Sequence, residues 1–215
     1  SATTCWIASD TGLVYRTTDG GSNWTAATPE LNATWNSIHF ASSTTGWVVG
    51  NSGKVYTSTD GGVNWTAQTS GVRGNLIDVS FVSTTTGVAV GVSGVVLKTT
   101  NGGTTWTLVS SGTAQTLMDV FFPLSVTTGW SVGNSGTILR SADNGMTWAA
   151  QTSGTSANLQ DVFASSADTA WVVGASGTIL KTTNSGTTWT AQTSGTSSLL
   201  NAISCGDGST CVVVG

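Results

Sequence analysis

The chain has 215 residues, of which only 7% are charged, and six Lys+Arg against ten Asp+Glu give a formal charge of −4. That balance argues against a nucleic-acid binder, because neutralising phosphates needs clustered bases, and no apolar run approaches the roughly 18–20 residues of a membrane-spanning helix. Ser and Thr together number 69, whereas a single His and a single Glu leave little material for acid–base or metal chemistry, so no cofactor, no metal and no enzymatic activity are expected.

In chain order, Trp6-Ile7-Ala8-Ser9 aligns with the later strand Trp47-Val48-Val49-Gly50. The segment TTDGGSNW (17–24) follows and then recurs as STDGGVNW (58–65), TTNGGTTW (99–106), SADNGMTW (141–148) and TTNSGTTW (182–189). The closing tryptophans are spaced 41, 41, 42 and 41 residues apart. Gly50, Gly91, Gly133, Gly174 and Gly215 mark the same period. Between 75 and 110 one period reads as four strands: 75–81, 87–91, 94–100 and 105–110, rich in Val, Ile, Thr and aromatics and parted by Gly, Ser and Asn. No segment has the i, i+3, i+4 pattern of a helix. Four strands in about 41 residues predict an all-β chain, a β-propeller of four-stranded blades with five repeats visible. Residues 1–215 are expected to form a single propeller domain, either a five-bladed ring or part of a larger propeller in a longer repeat protein.

The recurring segment is a turn between the third and fourth strands. Asp19, Asp60, Asn101, Asp143 and Asn184 are placed to accept hydrogen bonds from turn amides. Gly21, Gly62, Gly103, Gly145 and Gly186 fill a slot expected to need positive φ. Trp24, Trp65, Trp106, Trp148 and Trp189 are expected to be mostly buried. The box is thus read as a folding device rather than a ligand site.

At these residues the chain resembles the Asp-box (BNR) repeat proteins, and most nearly the photosystem II stability/assembly factor-like branch. The text that carries the likeness is LIDVSF, STTTGVAVG, GTILR and KTTNSGTTW, and it extends over essentially the whole chain. The resemblance implies a non-catalytic assembly or protein-interaction role, with a basic patch receiving the client. Asp boxes also occur in sialidases and lectin-like propellers, which implies a carbohydrate-binding surface, or a sialidase-type glycoside hydrolase fragment, as alternatives. Sialidase chemistry would require three arginines and a tyrosine nucleophile. Arg16 and Arg140 are repeat residues, Arg73 stands alone, and Tyr15 and Tyr56 are repeat-equivalent strand residues.

Two sets of charged residues follow the repeat. Arg16, Lys98, Arg140 and Lys181 precede the box, with Thr57 in the second copy; they are read as solvated strand-edge residues whose stems cover apolar surface, or as a ring of bases. Asp78, Asp119 and Asp161 share one first-strand position, with Ser37 and Ala202 in the other two copies. They form either a channel ring for a cation or polar ligand, or carboxylates bonded to the next blade's backbone. His39 is replaced by Ser80, Phe121, Phe163 and Ser204 in the other copies, so it builds no triad. Every tryptophan falls on the repeat, leaving none for a separate sugar platform.

Cys205 and Cys211 flank the short turn SCGDGSTC, and Cys5 occupies the slot equivalent to Cys211. Local pairing of Cys205 with Cys211 leaves Cys5 free; a ring closed on itself pairs Cys5 with Cys205. The local bridge is expected from the short spacing, and a disulfide implies an oxidising compartment. The sequence reading is therefore a secreted, cell-surface or periplasmic (luminal) scaffold, with a protein or a carbohydrate as partner.

Overall fold

The computed structural model describes residues 3–123, 126–206 and 210–215, and its strands form six antiparallel sheets. The first contains β1 (Cys5–Ala8), β2 (Val14–Thr17) and β3 (Thr25–Ala27). The second contains β4 (Trp35–Phe40), β5 (Gly46–Gly50), β6 (Val55–Ser58) and β7 (Thr66–Gln68). The third is β8 (Leu76–Phe81), β9 (Gly87–Gly91), β10 (Val96–Thr99) and β11 (Thr107–Val109), and the fourth is β12 (Leu117–Phe121), β13 (Gly129–Gly133), β14 (Ile138–Ser141) and β15 (Ala149–Gln151). The fifth is β16 (Leu159–Ala164), β17 (Ala170–Gly174), β18 (Ile179–Thr182) and β19 (Thr190–Ala191), and the sixth is β20 (Ala202–Cys205) with β21 (Cys211–Val214).

The five sequence periods thus become four complete blades flanked by two partial ones. Each period starts on the second strand of one sheet and ends on the first strand of the next. The first strands β4, β8, β12, β16 and β20 pack side by side nearest the axis. β1 pairs with β2 and β20 with β21, and among the described residues no ladder joins the first sheet to the sixth. The cysteines take the local arrangement: Cys205 and Cys211 are directly opposite across β20 and β21, with sulfurs 2.04 Å apart, and Cys5 is free and exposed.

Second strands lie deep in the fold. All five residues of β5, β9, β13 and β17 are buried, because each strand is covered on both faces by other blades. This is why they read as continuous apolar runs such as GWVVG rather than alternating ones. The turn into the third strand is tight. Ser52 and Gly53 have φ of 59° and 71°, and a Cβ on Gly53 would overlap the Val72 carbonyl oxygen, so glycine is required there. Four of the five first strands carry one irregularity each: the register shifts between Trp35 and Ser37, Leu76 and Asp78, Leu117 and Asp119, and Leu159 and Asp161. A bulge of this kind re-aims the residue that follows it. It buries Leu76, Leu117 and Leu159 completely while turning the neighbouring carboxylates toward the next blade.

The blades are joined by aromatic side chains. Trp47 on β5 stacks on Phe81 of the third sheet, with centroids 3.4 Å apart, and its indole N–H donates to the Gly102 carbonyl in the next box at 3.0 Å. Trp6 repeats the arrangement one blade earlier, stacked on Phe40 at 3.7 Å and donating to the Gly61 carbonyl at 2.8 Å. The box tryptophans Trp65 and Trp106 meet the same phenylalanines edge-on, at 5.9 Å in both cases. Each such joint is a three-ring sandwich built from two successive blades. The fully buried tryptophans are therefore Trp47 and Trp130 on second strands, not the box residues. Trp65, Trp106, Trp148 and Trp189 are only partly buried, and Trp24 is 39% exposed. Four of the five box rings thus give most of their surface to the fold, as expected, and Trp24 is the one that departs from it.

Candidate functional site

The boxes are closed hydrogen-bond units. In the second, Ser58 Oγ donates to Asp60 Oδ1 at 2.9 Å and accepts from Gly62 N at 2.8 Å. Asp60 Oδ1 accepts from the amides of Val63 and Asn64, and Oδ2 from the Asn64 side chain. Asp19 and Asp143 make the equivalent bonds, and Asn101 and Asn184 accept the amides of Thr105 and Thr188. Hydrogen bonds to Asn23 hold Asp19, and those from Asn64 hold Asp60, at a pKa of about 2. Gly21, Gly62, Gly103, Gly145 and Gly186 all have positive φ. No box oxygen points to a common centre, and the acceptor capacity of each aspartate is spent inside its own turn.

The channel side is different. A cavity of about 300 Å³ is lined by the first strands and includes Ser37, His39, Asp78, Asp119, Asp161 and Ser204. Asp78 Oδ2 accepts from Val120 N at 2.9 Å, Asp119 Oδ2 from Val162 N at 2.8 Å, and Asp161 Oδ2 from Ile203 N at 2.6 Å. Each carboxylate therefore ties its own blade to the backbone of the next. Ser37, the equivalent residue one blade earlier, donates to Asp78 Oδ1 at 2.5 Å. Asp119 lies between Asp78 and Asp161. Burial, then the two flanking carboxylates and its hydrogen bonds to them, push its pKa well above the ordinary carboxylate value. The row thus favours the protonated form of Asp119. His39 lines the same cavity, with its pKa lowered by burial, an effect only partly opposed by the charge of Asp78 and a backbone hydrogen bond at Phe81. Its Nε2 has no hydrogen-bond partner. Among the described residues no group of three or more His, Cys, Asp or Glu side chains is arranged to hold a metal ion.

Of the repeat-position bases, Arg16, Arg140 and Lys181 are half-buried and Lys98 is buried. Arg16, Arg140 and Lys181 stand directly across from Trp6, Trp130 and Trp171 on the neighbouring strand. The Arg140 guanidinium lies 5.7 Å from the Trp130 ring centroid, and Lys181 Nζ lies 4.8 Å from that of Trp171. These cations are folded over aromatic faces inside the joints between blades. Lys98, which stands across from Val88 instead of a tryptophan, is the most enclosed base, at 5% exposure.

One cluster escaped the sequence reading. Glu30, Lys54, Tyr56 and Arg73 line a groove of about 450 Å³ on the second blade. Lys54 Nζ is 2.7 Å from Glu30 Oε1, and Tyr56 Oη donates to Glu30 Oε2 at 2.8 Å. Burial, reinforced by the carboxylate, pushes the Tyr56 hydroxyl to about 12. The available signal was that Glu30, Lys54 and Arg73 are charges that break the repeat. A related groove on the third blade is lined by Ser93, Leu108, Ser110 and Thr113 and carries no charge.

Comparison with solved structures finds the same fold. YCF48 from Cyanidioschyzon merolae matches with a TM-score of 0.78 at 18% identity, over 99% of this chain and 77% of that one. A structure described as YCF48 bound to D1 peptide matches at 0.54 and 19% identity, over 100% of this chain and 87% of that one. The GH74 enzyme of Niastella koreensis matches at 0.70 and 18% identity, over 85% of this chain, which spans only 34% of the enzyme. No curated protein sequence matches the chain. The family model described as photosynthesis system II assembly factor YCF48 matches residues 29–100 and 99–194, well over half of the sequence. The chain therefore belongs to the YCF48-like family of BNR-type propellers.

Proposed function

We propose that the chain is a non-catalytic extracytoplasmic scaffold that holds a peptide segment of a client protein during assembly. Family membership carries this reading, since a solved member of the family is described as bound to a D1 peptide. The arrangement of carboxylates agrees with it. A glycosidase needs two carboxyl groups about 5–9.5 Å apart and free to act on substrate. Here Asp78, Asp119 and Asp161 each give an oxygen to the next blade's backbone, and Glu30 is held by Lys54 and Tyr56. The Cys205–Cys211 bridge supports an oxidising compartment.

A carbohydrate-binding surface is the second reading, favoured by the GH74 likeness in fold. The two are separated by titrating the purified chain against an array of soluble termini and loops of membrane proteins, and in parallel against a glycan array. Saturable peptide binding without glycan binding supports the scaffold. Glycan binding alone, or release of reducing sugar, overturns it.

A further inference from the structure

Asp78, Asp119 and Asp161 occupy one repeat position on β8, β12 and β16, first strands that pack side by side around the axis. Their Oδ2 atoms accept from the amides of Val120, Val162 and Ile203, each on the next first strand. The carboxyl groups also meet one another, because Asp119 is hydrogen-bonded to both Asp78 and Asp161. An ionised carboxylate only accepts, so a contact between two carboxyl groups needs a proton between them. The groups that hold the next blade's backbone are thus tied to each other through a proton.

The residues packed against Asp119 offer no charge to replace that proton. β8 and β16 bring Asp78 and Asp161, which are like charges when ionised. β9, β13 and the turn 92–94 also pack on β12 and carry no titratable side chain. β4 adds Ser37, which donates to Asp78, and His39, which burial holds toward its neutral form. Among the described residues lining this cavity of about 300 Å³ there is no lysine or arginine.

We infer that the row is a proton-linked clasp, which holds the third to sixth sheets together at the axis while it carries a shared proton and opens their three joints together when that proton leaves. The proton passes to solvent. Three carboxylates then lie side by side and face no basic side chain, and their repulsion is relieved when the first strands part and water enters. The raised native pKa of Asp119 agrees in sign. Such a group holds the closed form below the ordinary value of about 4 and lets go as pH rises through the native value. The clasp is a property of the channel and is independent of the scaffold reading.

Amide hydrogen exchange of Val120, Val162 and Ile203, followed by NMR on the intact chain across acid to mildly alkaline pH, tests the clasp when each rate is divided by the intrinsic rate at that pH. Protection of the three amides should fall together, by up to about tenfold per pH unit between the ordinary carboxylate value of about 4 and the raised native value, and level off beyond it. The carboxyl carbon shift of Asp119 should give the same midpoint. Low urea should leave these rates unchanged, which marks a local opening rather than global unfolding. In Asp119→Asn the three amides should keep constant protection over that range. Ser37→Ala should move the midpoint upward, since the ionised row loses the hydroxyl that donates to Asp78. His39→Gln should keep the pH dependence. Protection that ignores pH, three amides with different midpoints, urea-dependent exchange, an unmoved midpoint in Ser37→Ala, or a pH dependence kept in Asp119→Asn or lost in His39→Gln overturns the inference.

Discussion

Trp47→Ala tests whether the joints between blades hold the fold together. Trp47 is fully buried, stacks on Phe81 at 3.4 Å and donates to Gly102 at 3.0 Å, so its loss damages the second and third blades together. A buried tryptophan removes roughly 150–250 Å² from water, which at about 25 cal/mol per Å² is about 4–6 kcal/mol. Large-to-small core substitutions of this kind cost about 3–5 kcal/mol. The hydrogen bond adds about 1 kcal/mol and leaves no orphan, because the Gly102 carbonyl also accepts from Gln68 at 2.9 Å. A loss of about 4–5 kcal/mol is therefore expected. Trp47→Phe should recover about half of it, keeping the stack and losing the N–H donor. Trp24→Ala, at a ring 39% exposed, should cost far less. Urea unfolding followed by far-UV circular dichroism measures all three, read as midpoint shifts at constant slope. Trp47→Ala costing no more than Trp24→Ala would refute the reasoning.

Four further outcomes are expected. Asp119→Asn should raise stability near neutral pH. The native pKa of Asp119 is raised above the unfolded value of about 4, so its contribution is present below that value and falls as pH rises through the raised native value. The carboxamide of that variant keeps the acceptor for Val162 and supplies a permanent donor to the row formed with Ser37, Asp78, Asp161 and His39, so its urea midpoint should depend less on pH between about 5 and 8. Asp60→Ala should reduce stability at neutral pH, with a difference that vanishes as pH falls through the unfolded value of about 4 toward the native value of about 2; a constant difference across acid titration would contradict the box geometry. Of the three cysteines, only Cys5 should react with a thiol reagent in the folded, unreduced protein, which mass spectrometry resolves, and breaking the six-residue Cys205–Cys211 bridge should cost about 2 kcal/mol. Gly53→Ala should destabilise well beyond Gly71→Ala in thermal melts. Both residues have positive φ, but only Gly53 is closed in by the Val72 carbonyl, whereas a Cβ on Gly71 meets nothing within 4 Å.

Local chemistry was the legible part. The box spells out its own hydrogen bonds within eight residues, and the four-strand period follows from runs and turns, so the fold and the family could be read from the chain. The joints could not. Trp47 reaches Gly102 across 55 residues, and nothing local distinguishes a second-strand tryptophan buried between blades from one on a surface. For the same reason the surface beneath the bases could not be named, since the aromatic rings under Arg140 and Lys181 become visible only once strand register is known. Both readings of the aspartate row were open from sequence alone, because the bulge that turns Asp78 toward Val120 depends on pairing rather than residue type. Glu30 and Lys54 lie 24 residues apart on no shared element, so nothing local joins them.

The ring sandwiches also bear on how near-identical repeats avoid exchanging partners. At successive joints the second strand offers Trp47, Val88 and Trp130, and the following blade answers with Phe81, Phe122 and Ala164. Where the second strand is small the partner is large, as with Val88 and Phe122. Where the partner shrinks to Ala164, Trp130 reaches the box ring of Trp189 directly, with centroids 5.5 Å apart. Mating the third blade with the fifth would set Val88 against Ala164 and leave a void, and a void of that kind costs stability in proportion to its volume. The unequal joints thus act as a lock-and-key code along the chain. They set the joints of the third and fourth blades apart from the two like joints of Trp6 with Phe40 and Trp47 with Phe81, where sequence similarity alone would permit shuffled or intermolecular pairings.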